Sequence, residues 1–324
     1  MTSRPCLLQN TALPPALDAR LEAAFDVVRL PSPPAAAGLL AEQGARFEGL
    51  VTSAAVGADA ALMAALPALK IISSFGVGLD RIDLAAAARR GIAVGYTPEV
   101  LDDCVADTAI GLLIDVARRL SAADRFVRAG RWPGARFPLT TKVSGKNLGI
   151  VGLGRIGRAI ARRAEGFGMA IRYHNRRPRV DVGYGYEASL PELARWADFL
   201  VVAAAGGSDT RHLVDRDVLD ALGPRGFLVN VARGSVVDEA ALVDALLNRR
   251  IAGAGLDVFA DEPKVPEALF GLDHVVLLPH LASGTEETRQ AMADRVFDNL
   301  QRFFAEGRLV SAAPLPDPLP TDQA

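Results

Sequence analysis

Three polar side chains suited to proton transfer follow three separate apolar segments in the second half of the chain. They are Arg233 after Phe227–Val231, Glu262 after Gly255–Phe259, and His280 after Val275–Leu278. Because the carboxyl ends of parallel strands meet at one edge of a sheet, where α/β proteins place ligands, we predict that the three side chains lie together. Each one singly could be an ordinary polar residue at a strand end, and only their coincidence favours a site.

This set of side chains suits the reduction of a 2-keto acid. The keto oxygen needs a proton when hydride reaches the carbonyl carbon, and histidine is well suited to donate one near neutral pH. His280 would transfer that proton, and Glu262 would orient the imidazole and favour its charged form. Arg233 would bind the substrate carboxylate and the keto oxygen through charge-assisted hydrogen bonds.

A glycine-rich segment that could bind a dinucleotide lies between the predicted strand Leu148–Val151 and a helix ending near Phe167. Its loop residues are Gly152, Gly154, Arg155, Ile156 and Gly157, in the pattern G-x-G-x-x-G. In this context the glycines allow a tight turn, close approach of the backbone to a pyrophosphate, and close packing of helix on strand. The free N–H groups at the start of the helix would face the phosphates. A glycine-rich turn without a ligand is the alternative.

The next predicted strand, Ala170–His174, indicates which nucleotide would bind. A carboxylate after this strand would bind the ribose 2′-hydroxyl of NAD, but the chain has Asn175, Arg176 and Arg177 there. An uncharged residue followed by two guanidinium groups suits the 2′-phosphate of NADP(H). We therefore predict a preference for NADP(H), with weaker binding of NAD(H). The alternative is that both arginines are solvated surface charges.

A second glycine turn lies in the first half of the chain. Gly76, Val77 and Gly78 follow the predicted strand Lys70–Phe75, and their N–H groups could form a nest for a substrate carboxylate. Taken alone, the motif favours a plain strand–helix turn, with Asp80 capping the following helix.

The elements that must position these residues alternate between short apolar runs and amphipathic helices, which is the rhythm of βαβ units. Besides the strands named above, we predict strands at Pro5–Leu8, Phe25–Leu30, Gly49–Thr52, Ile92–Tyr96 and Phe199–Ala203. Predicted helices include Asp83–Arg90, about Val100–Leu120, and about Glu286–Glu306. The sequence thus predicts an α/β protein with two doubly wound parallel-sheet domains, a number that suits 324 residues. The proline-containing tail from Ala312 onward is expected to be loosely ordered.

Composition excludes several other classes of protein. A net charge of −2 gives no general attraction to nucleic acid or membranes, and no apolar run reaches the roughly 18 residues of a membrane span. The two cysteines, Cys6 and Cys104, suggest neither a disulfide framework nor a metal site. We find no signal peptide, and we expect a soluble cytoplasmic protein.

Taken together, these motifs resemble the D-isomer-specific 2-hydroxyacid dehydrogenase family. The segments that carry the resemblance are Gly152–Gly157, Asn230–Gly234, Gly255–Phe259 with Glu262–Pro263, and Pro279–His280. Within the family the chain is similar to NADPH-preferring glyoxylate/hydroxypyruvate reductases and plant hydroxyphenylpyruvate reductases. The segments that suggest this are Phe75–Asp80, Arg125–Trp132, Leu139–Lys146 and Val265–Pro279.

The resemblance implies a division of the chain and a set of roles. An NADP-binding Rossmann domain, residues 98–284, would be inserted into a flavodoxin-like substrate domain made of residues 1–97 and 285–324. Residues from about 100 to 146 would form the dimerisation arm of a homodimer. Arg233, Glu262 and His280 match the catalytic positions, Val77 and Gly78 the carboxylate donors, and Asp257 an acid near the nicotinamide.

Other points remain open from the sequence. Trp132 matches a residue that reaches toward the partner's active site, or it packs locally. The loop Ala204–Ser208 lacks the Pro and Thr of many relatives, which leaves the adenine-side contacts undefined. Glyoxylate, hydroxypyruvate and an aromatic pyruvate are all compatible substrates. The alternatives are an NAD(H)-linked relative acting on another 2-hydroxy acid, and a nucleotide-sensing binding protein on the same fold.

Overall fold

The structure is a computed structural model that describes residues 4–316. The strands are β1 (Cys6–Gln9), β2 (Asp26–Arg29), β3 (Gly49–Ser53), β4 (Ile71–Phe75), β5 (Ala93–Gly95), β6 (Asn147–Val151), β7 (Ala170–His174), β8 (Gly185–Tyr186), β9 (Phe199–Val202), β10 (Phe227–Asn230), β11 (Gly253–Leu256) and β12 (Val275–Leu277). The helices are α1 (Pro15–Ala24), α2 (Ala35–Gln43), α3 (Ala60–Ala64), α4 (Leu84–Arg89), α5 (Asp102–Arg118), α6 (Leu120–Arg128), α7 (Arg155–Glu165), α8 (Leu190–Trp196), α9 (Arg216–Leu222), α10 (Glu239–Leu247) and α11 (Glu286–Glu306). The chain divides into two compact units, residues 1–101 with 285–324 and residues 102–284.

The first unit is a parallel sheet with helices on both faces. Its strand order is β2-β1-β3-β4-β5, the doubly wound order of flavodoxin-like domains. Successive side chains of a strand point to opposite faces, so Leu7 of β1 packs in the core with residues of α1 and α11, and Leu8 packs in the core on the other face. Helix α11 belongs to this unit although it follows the second sheet in the chain.

The second unit is a seven-stranded parallel sheet with the order β12-β11-β10-β9-β6-β7-β8. Strand β6 pairs with β9 on one side and with β7 on the other, so the order of the strands reverses at β6. Ligands of open α/β sheets bind beyond the carboxyl ends of the strands at such a reversal. The predicted fold class, two doubly wound parallel sheets, is confirmed.

The predicted helix over about Val100–Leu120 corresponds to α5, which ends at Arg118. Arg119 then has a left-handed φ of +54°, and α6, which was not predicted, begins at Leu120. The Asp115 carboxylate accepts hydrogen bonds from the backbone N–H and the hydroxyl of Ser121. A side chain of α5 therefore satisfies a backbone N–H group at the start of α6.

The predicted strand Gly255–Phe259 is displaced, since β11 spans Gly253–Leu256. Two glycines of this strand are packing positions. A Cβ at Gly253 would lie 2.3 Å from the His274 carbonyl oxygen, and one at Gly255 would lie 3.0 Å from the Leu112 Cβ. The missing side chains therefore let neighbouring backbone and helix α5 approach the strand.

Two smaller expectations were also wrong. The cap of α4 is Asp83, whose carboxylate accepts the Ala86 N–H at 2.8 Å, and not Asp80. The tail is ordered at its start, because Ala312 bridges to Gly95 and the Ala313 N–H donates to the Val94 carbonyl at 2.8 Å. The rest of that prediction, for residues 317–324, lies outside the described residues.

Within residues 4–316, no helix combines the length and the apolar character needed to cross a membrane.

Candidate active site

The loops that follow β10 and β11 are fixed against each other by a close backbone contact. A Cβ at Gly234 would lie 1.9 Å from the carbonyl carbon of Phe259, so only glycine allows this approach. Asn230, the last residue of β10, accepts the Ala232 N–H and donates to the Arg233 carbonyl, each at 3.0 Å. These contacts hold Arg233 beside the loop that carries Glu262.

His280 and Glu262 form a hydrogen-bonded pair. The Nδ1 atom of His280 lies 2.7 Å from Oε2 of Glu262, and Oε1 of the same carboxylate accepts the Phe259 N–H at 3.1 Å. Both side chains are partly exposed, at 43% for His280 and 35% for Glu262. Because Nδ1 faces the carboxylate, Nε2 is the ring nitrogen that can exchange a proton with a substrate.

The charges around Glu262 show that Arg233 belongs to the same cluster. Burial by itself raises the pKa of Glu262, but the hydrogen bonds from His280 and Phe259 and the positive charges of His280 and Arg233 hold it below its ordinary value. The carboxylate therefore stays ionised. The structure brings His280 and Glu262 into contact and places Arg233 near enough for its charge to act on Glu262.

Asp257 holds the loop on which His280 stands. Its fully buried carboxylate accepts the Leu281 N–H at 2.7 Å and the Ala282 N–H at 3.1 Å, and its carbonyl accepts the His280 N–H at 2.9 Å. Burial raises the pKa of Asp257, and the two backbone hydrogen bonds oppose that shift. Since His280 has a φ of +50°, this grip stabilises a backbone conformation that a non-glycine residue rarely adopts.

Two positioning residues were missed by the sequence reasoning. Asn230 orders the Arg233 loop, and Glu239 accepts the Ala260 N–H at 2.9 Å, which supports the Glu262 loop from α10. Asn230 is part of the segment Asn230–Gly234 that carries the family resemblance, but its own role was not predicted. Nothing in the local sequence distinguishes Glu239 from a surface acid at the start of a helix. Their roles depend on contacts between distant segments of the chain.

The other histidines have different surroundings. His274 is buried, and burial lowers its pKa, so it stays neutral in the core. His174 lies at the end of β7, where its Nδ1 is 2.9 Å from the Glu187 carbonyl. His212 lies in the loop between β9 and α9. Within the described residues, His280 alone among the four combines an exposed ring with a carboxylate partner.

The glycine loop after β6 has the geometry of a phosphate cradle. Gly152 has a φ of +95°, and a Cβ there would lie 2.5 Å from the Ala204 Cα. A Cβ at Gly154 would meet no atom of the described residues within 4 Å, so this side of the loop is open to a ligand. Gly157 packs on the Gly152 carbonyl at the start of α7. The residues present therefore fit a bound dinucleotide pyrophosphate.

The side chains that follow β7 border the same loop. The Asn175 Oδ1 accepts the Leu153 N–H at 2.7 Å, which ties the end of β7 to the glycine loop. Arg176 and Arg177 are exposed, and the Nη1 of Arg176 lies 3.2 Å from Oδ2 of Asp209. No carboxylate occupies the Asn175 position, so this end of the loop can accept an additional phosphate.

The remaining predicted substrate residues lie apart from this cluster in the chain. Gly76 is buried with a φ of +143° just after β4, and Val77 and Gly78 are partly exposed at the carboxyl end of the first unit's sheet. Trp132 begins a short 3₁₀ turn in the second unit and is 68% exposed. A tryptophan side chain this exposed is not packed in the core of its own chain.

Comparison with known families decides the relationship. Residues 110–282 match the model described as D-isomer specific 2-hydroxyacid dehydrogenase, NAD binding domain. The chain belongs to the D-isomer-specific 2-hydroxyacid dehydrogenase family. Family membership agrees with the glycine loop and with the arginine, glutamate and histidine cluster of the second unit.

Individual members of the family are similar over nearly the whole chain. Glyoxylate/hydroxypyruvate reductase A of Arabidopsis thaliana is 50% identical over 295 residues, which cover 91% of this chain and 94% of that protein. Hydroxyphenylpyruvate reductase of Plectranthus scutellarioides is 50% identical over 289 residues, covering 89% and 92%. The crystal structure of the NADPH-dependent glyoxylate/hydroxypyruvate reductase of Sinorhizobium meliloti with NADP and malonate superposes with a TM-score of 0.91, at 46% identity over 98% of each chain.

Proposed function

We propose that this dehydrogenase reduces small 2-keto acids, such as glyoxylate and hydroxypyruvate, to D-2-hydroxy acids with NADPH. The observation that carries the proposal is the 2.7 Å contact between His280 and Glu262 beside Arg233, on the sheet that also bears the glycine loop. Relatives named as glyoxylate/hydroxypyruvate and hydroxyphenylpyruvate reductases support the substrate class. Aromatic pyruvates belong to the same proposal.

In the proposed mechanism, bound NADPH supplies the hydride. Arg233 binds the substrate carboxylate and the keto oxygen, and its positive charge stabilises the negative charge that develops on that oxygen. His280 donates the Nε2 proton to the oxygen, while Glu262 keeps the ring oriented through Nδ1. Gly76, Val77 and Gly78 are proposed to contribute backbone N–H groups to the carboxylate. In the reverse direction His280 accepts the proton from the hydroxyl group.

For the cofactor we propose the following contacts. Gly152, Gly154, Arg155, Ile156 and Gly157 bind the pyrophosphate, and Asn175, Arg176 and Arg177 select the 2′-phosphate. Asp257 is proposed to act near the nicotinamide through the loop that it holds. The NADP complex of the Sinorhizobium meliloti relative supports the choice of nucleotide. Residues 102–284 would then be the nucleotide-binding domain and the other unit the substrate domain.

We further propose a homodimer formed through residues of the arm from about 100 to 146, with Trp132 of each chain contributing to the partner's substrate site. The arm exposes apolar side chains, including Val127 at 51%, Trp132 at 68% and Leu139 at 100%. Exposed apolar groups gathered in one segment are typical of a protein interface. Cys6 and Cys104 are not joined in a disulfide in the described part of the chain, which suits a cytoplasmic location.

Changing Leu139 to Asp is expected to shift the protein from dimer to monomer, because a charge would be buried in the proposed interface. Mass measured by light scattering after size-exclusion chromatography checks this. Val180→Asp is the matched control, because Val180 is also 100% exposed but lies outside the arm. A monomeric wild-type protein, or an unchanged dimer in L139D, would contradict the arm proposal.

The function itself is tested by following the absorbance of NADPH, and separately of NADH, with glyoxylate, hydroxypyruvate and phenylpyruvate. We expect turnover with NADPH that exceeds turnover with NADH, because the two arginines favour the 2′-phosphate. The order of the three keto acids would describe the substrate pocket.

Each other outcome of this assay has a definite meaning. Faster turnover with NADH would overturn the cofactor preference and favour the NAD(H)-linked alternative. No turnover with either nucleotide, while the nucleotide still binds, would favour a sensing protein on the same fold.

A further inference from the structure

An ion pair between Arg176 and Asp209 crosses the carboxyl end of β6, the strand that leads into the glycine loop. Strands β7 and β9 both pair with β6, on its opposite sides. Arg176 follows β7 and Asp209 lies in the loop after β9, and their side chains meet at 3.2 Å. The Arg176–Asp209 bridge therefore connects the two segments that flank the carboxyl end of β6, where the glycine loop begins.

The loop that carries Asp209 is held by contacts that do not involve Arg176. The Thr210 hydroxyl donates to the Ala205 carbonyl at 2.7 Å, and the His212 N–H donates to the Ser235 carbonyl at 2.8 Å. Gly207 has a φ of +144°, which glycine tolerates and other residues rarely adopt. These contacts hold the loop backbone whether or not Arg176 binds Asp209.

A 2′-phosphate and the Asp209 carboxylate would both bind the guanidinium of Arg176. The side chains of Arg176 and Asp209 are 84% and 77% exposed, so the bridge can open at small cost. A phosphate that binds the Nη1 edge of Arg176 competes with the Asp209 carboxylate for that edge, and a carboxylate that stays close repels the phosphate. NAD carries no 2′-phosphate, and its binding does not require Arg176 to leave Asp209.

We propose that Asp209 is a specificity-determining residue that weakens the preference for NADP(H) by competing with the 2′-phosphate for Arg176. The proposal rests on the NADP(H) preference of the proposed function. It assigns a role to the loop after β9.

The test measures nucleotide binding by isothermal titration calorimetry, with NADP⁺ and NAD⁺ as probes and without turnover. Asp209→Asn is expected to lower the Kd for NADP⁺ by about fivefold, the upper end for an exposed ion pair, and to leave the Kd for NAD⁺ unchanged. Asp220→Asn is the matched control, because Asp220 forms a 2.8 Å ion pair with Arg250 in the same unit. This control removes the same charge and is expected to change neither Kd.

A second pair of variants separates competition from a general effect of charge. In an Arg176→Gln background, Asp209→Asn is expected to lose most of its effect on NADP⁺, because the group under competition is gone. The proposal is overturned by an unchanged Kd for NADP⁺ in D209N, by equal gains for both nucleotides, or by an undiminished gain in the R176Q background. Wild-type protein that binds NAD⁺ as tightly as NADP⁺ would instead overturn the cofactor preference on which the proposal rests.

Discussion

Replacement of His280 by alanine is expected to lower kcat for keto-acid reduction by about 10²- to 10⁴-fold, the usual contribution of a positioned general acid. The imidazole is the proposed proton donor, and its Nδ1 contact with Glu262 at 2.7 Å leaves Nε2 for the substrate. Steady-state rates with saturating NADPH and glyoxylate measure the loss. Nucleotide binding by H280A, followed by fluorescence, is expected to be retained, because the glycine loop is separate from His280 in the chain.

Glu262→Gln tests the carboxylate partner of His280 with a milder change. The amide carries no charge, and it has one acceptor oxygen where the carboxylate uses two, one facing the Phe259 N–H and one facing His280 Nδ1. We expect a smaller loss of kcat than in H280A, because an imidazole is still present to transfer the proton. Wild-type turnover in H280A would remove His280 from the mechanism, and wild-type turnover in E262Q would remove the charge of Glu262 from it.

Arg233→Ala is expected to lower kcat/KM for glyoxylate by about 10²- to 10³-fold, comparable to the removal of one preorganised donor at a developing oxyanion. The guanidinium is proposed to bind the substrate carboxylate in the ground state and the keto oxygen in the transition state. The loss should therefore appear as a higher KM and a lower kcat together. Arg233→Lys is expected to recover only part of the rate, because an ammonium cannot form the paired hydrogen bonds of a guanidinium.

The matched control for this prediction is Arg225→Ala. Arg225 is exposed and precedes β10, so it lies at the amino end of the strand whose carboxyl end leads to Arg233. R225A removes the same charge from the same unit and should keep wild-type kinetics. If R233A retains the wild-type kcat/KM, or if R225A loses as much as R233A, the role assigned to Arg233 is wrong.

The cluster of Arg233, Glu262 and His280 could be predicted because each residue follows an apolar segment that can be recognised from the local sequence. The run Phe227–Asn230 and the run Val275–Leu277 are recognisable as buried strands, and parallel strands place their following residues at a common edge. The glycine loop was equally visible, because strand, glycine spacing and helix are all contained in one short segment. The parallel-sheet fold follows from the same alternation of strands and helices.

The errors have a common origin in contacts between distant segments. The predicted strand Gly255–Phe259 is displaced to Gly253–Leu256, where the His274 backbone and Leu112 occupy the space that side chains at Gly253 and Gly255 would fill. Ala313 is ordered because its N–H donates to the Val94 carbonyl of β5. Each of these partners lies far along the chain from the residues whose local pattern predicts the element.

The sequence by itself determined the alternation of elements, the dinucleotide loop, and the identity of the arginine, glutamate and histidine at the strand ends. These follow from side-chain chemistry and from hydrophobic periodicity, which act over a few residues. Tertiary structure decided that Asp257 grips the His280 loop, that Asn230 and Glu239 hold the neighbouring loops, and that Asp209 meets Arg176 beside the glycine loop. The physical reason is that a hydrogen bond between two loops depends on where the folded sheet places both of them, which local sequence does not encode.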